Sequence, residues 1–228
     1  MAAETIAAAL RRRAANHDRV YLALPGGRSI AGVLRQLQDQ DVPWSAVTVF
    51  PADERCLPEG DPERNWEVIR AELLRPLIVR GALRQQNGVP FRYREQAPDW
   101  GIGEFAAALD LPQGGTGVPR VDVVVLGAGE DGHVASLFPR SPQLHSSHAG
   151  FLQVHQSPKP PPRRITLSPV MIATAAAGVL LFIGAAKRPA LRAFGDPTVA
   201  DDDCPARLAT LAAEYTVFAD HDALGDPQ

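Results

Sequence analysis

The sequence predicts a layered α/β fold, with a mainly parallel sheet flanked by helices in a Rossmann-like plan. Three observations carry that expectation. Short apolar runs recur with helix-length stretches between them, as when parallel strands are joined by helical crossovers. The run Val121, Val123, Val124, Val125, Leu126 leads directly into Gly127-Ala128-Gly129-Glu130-Asp131-Gly132-His133, a buried-strand signal ending in a turn that glycine permits. The 228 residues, 45% hydrophobic and 21% charged, are enough to bury one core of ordinary size without metals or disulfides. One domain over 1–228 is expected.

Taken in order, the alanine-rich opening predicts a helix over Glu4 to Ala15, and the five apolar residues Val20 to Leu24 predict a strand. A helix over Ile30 to Gln38 and a strand over Val47 to Phe50 follow. Helices are expected over Asn65 to Leu74 and Trp100 to Leu109. The Gly- and Pro-rich piece Leu111 to Pro119 reads as a loop entering the central strand, Val121 to Leu126. A strand over Phe151 to Val154 precedes Pro158, Pro160, Pro161 and Pro162, a stiff segment that delivers Arg163 and Arg164 into an apolar stretch. Beyond it the pattern gives a helix over Pro169 to Ala177, a strand over Val179 to Ile183, helices over Arg188 to Phe194 and Pro205 to Ala212, and a strand over Tyr215 to Phe218. The acidic run Asp201 to Asp203 is read as favourable charge at the start of the Pro205 helix.

A formal charge of −3 gives no global field for nucleic acid or an anionic membrane, so an anionic ligand has to be held by local charges. Two cysteines, Cys56 and Cys204, form no framework and no Cys-x-x-Cys pair, which fits a reducing compartment. Cys56 reads as a small loop hydrophobe before a nucleophile. Met1 to Leu10 lacks a basic segment leading into an apolar run, and no stretch reaches the roughly 20 apolar residues of a membrane span, so a cytoplasmic setting is expected. His145 and His148 with Asp201 to Asp203 make no compact set of three metal ligands. Neither metal nor cofactor is expected.

Ligands of open α/β sheets bind at the carboxyl ends of the strands, where Asp131 and His133 should lie. Bare backbone at Gly129 admits a ligand close to the main chain. Gly26 and Gly27 follow a strand and precede a helix, a place where N–H groups can face a phosphate. Asp53, Glu54 and Arg55 follow the second strand, with Asn65 downstream as a helix N-cap first and a ligand contact second.

The segments Leu24-Pro25-Gly26-Gly27-Arg28-Ser29, Asp53-Glu54-Arg55-Cys56-Leu57-Pro58, Asp131-Gly132-His133-Val134-Ala135-Ser136-Leu137-Phe138-Pro139, Pro158 to Thr166 and Gly184-Ala185-Ala186-Lys187 share their order and spacing with one family. From about Tyr21 to Phe218 the chain resembles the lactonase branch of the glucosamine-6-phosphate isomerase/6-phosphogluconolactonase superfamily, whose fold is of NagB/RpiA type. The resemblance implies metal-free opening of 6-phosphoglucono-1,5-lactone by water in the oxidative pentose phosphate pathway. It implies His133 as general base, Asp131 orienting its ring or binding sugar hydroxyls, and Arg55 orienting the substrate or stabilising negative charge near the carbonyl. Asp53 would bind sugar hydroxyls, while Gly26, Gly27, Ser29, Arg164 and Lys187 would hold the phosphate, with Arg28 either joining them or pointing to solvent. Family loops usually read Ser-Gly-Gly-Ser-Thr-Pro where this chain has Pro25 to Ile30, so Arg28 stands in place of a serine.

Two other functions are weighed. In the isomerase/deaminase branch the string continues Ile-Ala-Phe-Asn-Glu-Pro after Asp-Gly-His, whereas Val134 to Pro139 carries no carboxylate. A non-catalytic sugar-phosphate sensor of the transcription-regulator kind needs a DNA-binding module, for which about 19 residues before the first strand are too few, while a stand-alone sensor stays open because the phosphate loop is atypical. The partner expected is the sugar lactone alone, with the chain a monomer or weak homo-oligomer.

Overall fold

A computed structural model describes residues 1–27, 29–111 and 119–225; Arg28 and residues 112–118 of the expected Leu111 to Pro119 loop lie outside them. The strands are β1 (Val20–Leu24), β2 (Val47–Pro51), β3 (Asp53–Arg55), β4 (Val123–Gly127), β5 (Phe151–Val154), β6 (Arg164–Leu167), β7 (Ala177–Phe182) and β8 (Glu214–Ala219). Five of them form a parallel sheet in the order β2-β1-β4-β7-β8, in register Val20 to Val47, Leu22 to Val123, Val123 to Ala177 and Ala177 to Glu214. The other three form a small antiparallel sheet in the order β3-β6-β5.

The helices are α1 (Ala2–Ala14), α2 (Ala31–Gln38), α3 (Asn65–Ile69), α4 (Arg75–Val79), α5 (Ile102–Leu109), α6 (Pro169–Ala173), α7 (Arg188–Gly195) and α8 (His221–Leu224). Among the described residues no helix is long and apolar enough to cross a membrane.

Side chains of a strand alternate between faces, and both faces of the parallel sheet are covered. Val20, Leu22 and Leu24 of β1 and Val123 and Val125 of β4 join Ile6, Leu10, Leu34 and Leu37 in one core. Tyr21, Ala23, Val124 and Leu126 face the other, with Phe50, Phe105, Phe151 and Phe182. This is why the central strands are unbroken apolar runs. At the amino end of the sheet, buried Asp122 accepts from Tyr21 N–H at 2.9 Å and from Arg13 Nε at 2.8 Å, tying α1 to β1 and β4.

Several elements differ from expectation. Asp53 to Arg55 is a strand because its backbone pairs with β6, a long-range partner that local sequence does not announce. For the same reason Phe151 to Val154 belongs to the antiparallel sheet. The helix expected to end at Leu74 passes through one π turn, Arg70–Leu74, into α4, with Pro76 early in α4 where a missing N–H is tolerated. Pro205–Leu211 is 3₁₀ rather than α, and Asp201–Asp203 is a separate 3₁₀ turn whose carboxylates pair with Arg207, His145 and Arg140. The helix α6 stops at Ala173, which frees Ala177 to start β7.

The two sheets meet at Ala52, whose N–H donates to Leu24 O at 2.8 Å while its own carbonyl accepts from Leu167 N–H at 2.8 Å. The carboxyl ends of β1, β2, β4 and β7 therefore open beside the antiparallel sheet.

Candidate active site

That junction holds a cleft of about 130 Å³ walled by Pro25, Gly26, Ser29, Asp53, Arg55, Asn65, Gly127, Ala128, Gly129, His133, Ala135, Arg164 and Lys187. Of the residues singled out from sequence, Gly26, Ser29, Asp53, Arg55, Gly129, His133, Arg164 and Lys187 come together on this one surface. Gly27 turns the chain at φ +90°, and Asp131 stands behind the ring of His133.

His133 Nδ1 lies 2.5 Å from Asp131 Oδ1. Partial burial acts to raise the Asp131 pKa, but the hydrogen bond and charge of His133, with the charge of Lys159, overcome it and hold the carboxyl well below its usual range. An ionised carboxylate only accepts, so Nδ1 is the donor, which leaves Nε2 as the nitrogen that can face a substrate. Phe138 packs against the imidazole with ring centroids 4.6 Å apart, and Arg164 Cζ sits 5.6 Å from the centroid of Phe138. The chain does not pass straight into a helix at His133: Leu137 N–H closes on Val134 O at 2.9 Å with Ala135 at φ 50°.

Gly129 explains the bare backbone. Its N–H donates to His133 O at 2.7 Å, and a Cβ at 129 would fall on His133 Nδ1 and Asp131 Oδ1. Gly129→Ala should therefore displace the Asp131–His133 pair and lower kcat by about 10- to 100-fold, since an ångström of misplacement at a reacting group costs on that scale. Steady-state kinetics beside a melting curve would check it, and an unchanged kcat would show that the pair tolerates displacement. Gly26 is constrained likewise, because a Cβ there would overlap the Asn65 side chain.

The basic side of the cleft differs in detail from expectation. Arg164, only 4% exposed, gives Nε to Pro161 O at 3.1 Å and Nη2 to Lys159 O and Pro160 O at 3.0 and 2.9 Å. It thus clamps its own proline loop as well as facing the cleft. The loop carries Lys159, whose Nζ lies 2.9 Å from Glu130 and 3.8 Å from Asp131. Lys159 was not singled out from sequence, although it stands inside the Pro-Lys-Pro-Pro-Pro string that was. Arg163 points elsewhere, to Tyr93 Oη at 3.1 Å and Glu95 at 3.5 Å. Desolvation pulls the half-buried Lys187 ammonium below the usual lysine range, Lys159 adds to the pull, and Glu130 and Asp131 oppose it. Arg55 donates Nη1 to Glu63 O, while its buried Nε has no hydrogen-bond partner among the described residues.

Glu54 does more than support a loop. It is fully buried, and its carboxyl accepts from the N–H groups of Arg55, Asn65 and Trp66, each at 2.8 Å. The residue capping α3 is consequently Arg64 by position and Glu54 by chemistry, which corrects the reading of Asn65 as N-cap. Asn65 is freed to donate Nδ2 to Asp53 O and Oδ1, at 2.8 and 3.0 Å. Cys56 is buried, and burial pushes its thiol up to about 12, so it is no thiolate nucleophile at neutral pH. His145 lies 3.1 Å from Asp202 at the surface, and among the described residues no group of three His, Cys, Asp or Glu side chains is placed to hold a metal ion.

An imidazole held by a carboxylate, with three cations facing one cleft, can activate water beside an anionic substrate. Residues 1–218 match the family described as glucosamine-6-phosphate isomerases/6-phosphogluconolactonase. The 6-phosphogluconolactonase of Mycobacterium tuberculosis is 35% identical over 201 residues, covering 84% of this chain and 79% of that protein. That of Streptomyces coelicolor is 36% identical over 162 residues, covering 68% of this chain and 62% of its own length, less than two thirds of that relative. The crystal structure of a 6-phosphogluconolactonase from Shewanella baltica is similar with a TM-score of 0.77 at 26% identity, covering 95% of this chain and 90% of that one. The chain belongs to the glucosamine-6-phosphate isomerase/6-phosphogluconolactonase family.

Proposed function

We propose that the chain hydrolyses 6-phospho-D-glucono-1,5-lactone to 6-phospho-D-gluconate, the lactonase step of the oxidative pentose phosphate pathway. The observation that carries the reading is the Asp131–His133 pair in one cleft with Arg55, Arg164 and Lys187. The phosphate lies against Lys187, Arg164 and the backbone of Gly26 and Ser29, and Asp53 accepts from the sugar hydroxyls. His133 Nε2 removes a proton from water as its oxygen attacks the lactone carbonyl. Arg55 and nearby loop N–H groups balance the tetrahedral oxyanion. Collapse breaks the bond from the carbonyl carbon to the ring oxygen, which takes the proton back from the imidazolium, leaving a hydroxyl and a carboxyl that ionises. Asp131 stays ionised and offsets the imidazolium.

Residues 1–228 are taken as a single 6-phosphogluconolactonase-like α/β domain, a reading supported by two cores sharing one sheet. The setting proposed is cytoplasmic, with a monomer or weak homo-oligomer and no nucleic acid or membrane partner. Freshly generated 6-phosphogluconolactone should open far faster with the protein than in its uncatalysed background. A rate equal to background, or ammonia released from glucosamine 6-phosphate, would overturn the assignment.

A further inference from the structure

We propose that Ser136 is a positioning residue that sets substrate affinity by fixing the carboxylate of Asp53; this rests on the reading of Asp53 as acceptor of sugar hydroxyls. Ser136 is fully buried and does not wall the cleft, so it acts on a ligand only through a neighbour. Its Oγ donates to Asp53 Oδ2 at 2.6 Å, while Asn65 Nδ2 donates to Asp53 Oδ1 at 3.0 Å. Among the described residues each carboxylate oxygen thus has one side-chain donor, and Asp53 also walls the cleft, where its further lone pairs can accept.

The hydroxyl is aimed by backbone. Ala135 at φ 50° turns the chain inward, and Ser136 N–H donates to Thr166 Oγ1 at 3.2 Å. Thr166 is the residue opposite Asp53 in the β3 to β6 pairing, so Ser136 bridges both members of one cross-strand pair. The loop that carries His133 is in this way locked to the strand that carries Asp53. Buried networks of this kind fix a single side-chain geometry when every member is satisfied.

The test is a double-variant cycle on Ser136→Ala and Asp53→Asn, measuring kcat and KM for 6-phosphogluconolactone and Kd for 6-phosphogluconate by calorimetry. Ser136→Ala should raise KM and Kd by about 3- to 10-fold, the scale of one lost hydrogen bond, with kcat within about twofold. In the Asp53→Asn background it should add nothing, because the group it positions is already altered. Effects that multiply, a loss in kcat alone, or an Asp53→Asn variant that binds like wild type would each overturn the proposal. Ser136→Cys keeps the volume with a weak donor and should repeat the KM rise; wild-type affinity in that variant counts against the hydroxyl, also where Ser136→Ala fails to fold. The Kd arm needs no turnover, so an inactive wild type sinks the lactonase reading while an additive Kd cycle sinks this one.

Discussion

His133→Ala should lower kcat for lactone opening by about 10²–10⁴-fold while KM changes little. The ring has one task in the proposed reaction, which is to hold the proton of the attacking water until the ring oxygen leaves. Its geometry suits that task alone: Nδ1 is committed to Asp131 at 2.5 Å, and Phe138 fixes the plane of the imidazole. The phosphate contacts lie on other residues, which is why affinity should survive. Lactone opens in water by itself, so rates must be measured against background in the same buffer. Asp131→Asn, which keeps a partner for Nδ1 but removes the charge, should fall between the variant and the wild type. A kcat for His133→Ala within a few-fold of wild type would mean that another group takes the proton.

Much of this site was legible in the sequence, and the reason is local. Gly129, Asp131 and His133 lie within five residues, and a strand signal immediately before them fixes which end of the sheet they occupy. The parallel strands were legible because burial on both faces leaves continuous apolar runs. What stayed hidden depends on partners distant in sequence. Nothing around Asp53 announces that its backbone pairs with Thr166, or that a carboxylate at 54 would reach the start of a helix at 65. The clamp of Arg164 on Lys159, Pro160 and Pro161 is a matter of side-chain direction, and spacing is silent on that. Arg28, the departure in the phosphate loop, lies outside the described residues.

The largest expected effect on stability lies beneath the cleft. Glu54→Ala should destabilise the protein by about 3–5 kcal/mol and lower its melting temperature by roughly 10 °C. Three N–H groups, two of them buried and that of Arg55 partly so, lose their acceptor at once, and each left unsatisfied in the interior costs about 1–3 kcal/mol before relaxation. Arg64, 2% exposed and 3.7 Å from Glu54, then keeps Phe91 O as its side-chain partner among the described residues. Because Glu54 holds the first turn of α3, Asn65 and through it Asp53 should shift, so KM should rise in whatever fraction remains folded. The pH dependence has a definite sign. Burial pushes the Glu54 carboxyl from 4.5 up to about 7, against the hydrogen bond from Trp66, the charge of Arg64 and the bonds from Arg55 and Asn65. Between those values the folded protein holds a proton that the unfolded chain releases, so this group's contribution to stability falls as pH rises from about 4.5 to about 7. The alanine variant lacks that slope, and its deficit should be larger at pH 5 than at pH 8. Urea denaturation of both proteins at the two pH values would read this directly. A deficit that instead grows with pH would mean that the three N–H bonds and Arg64 outweigh burial and keep Glu54 ionised throughout.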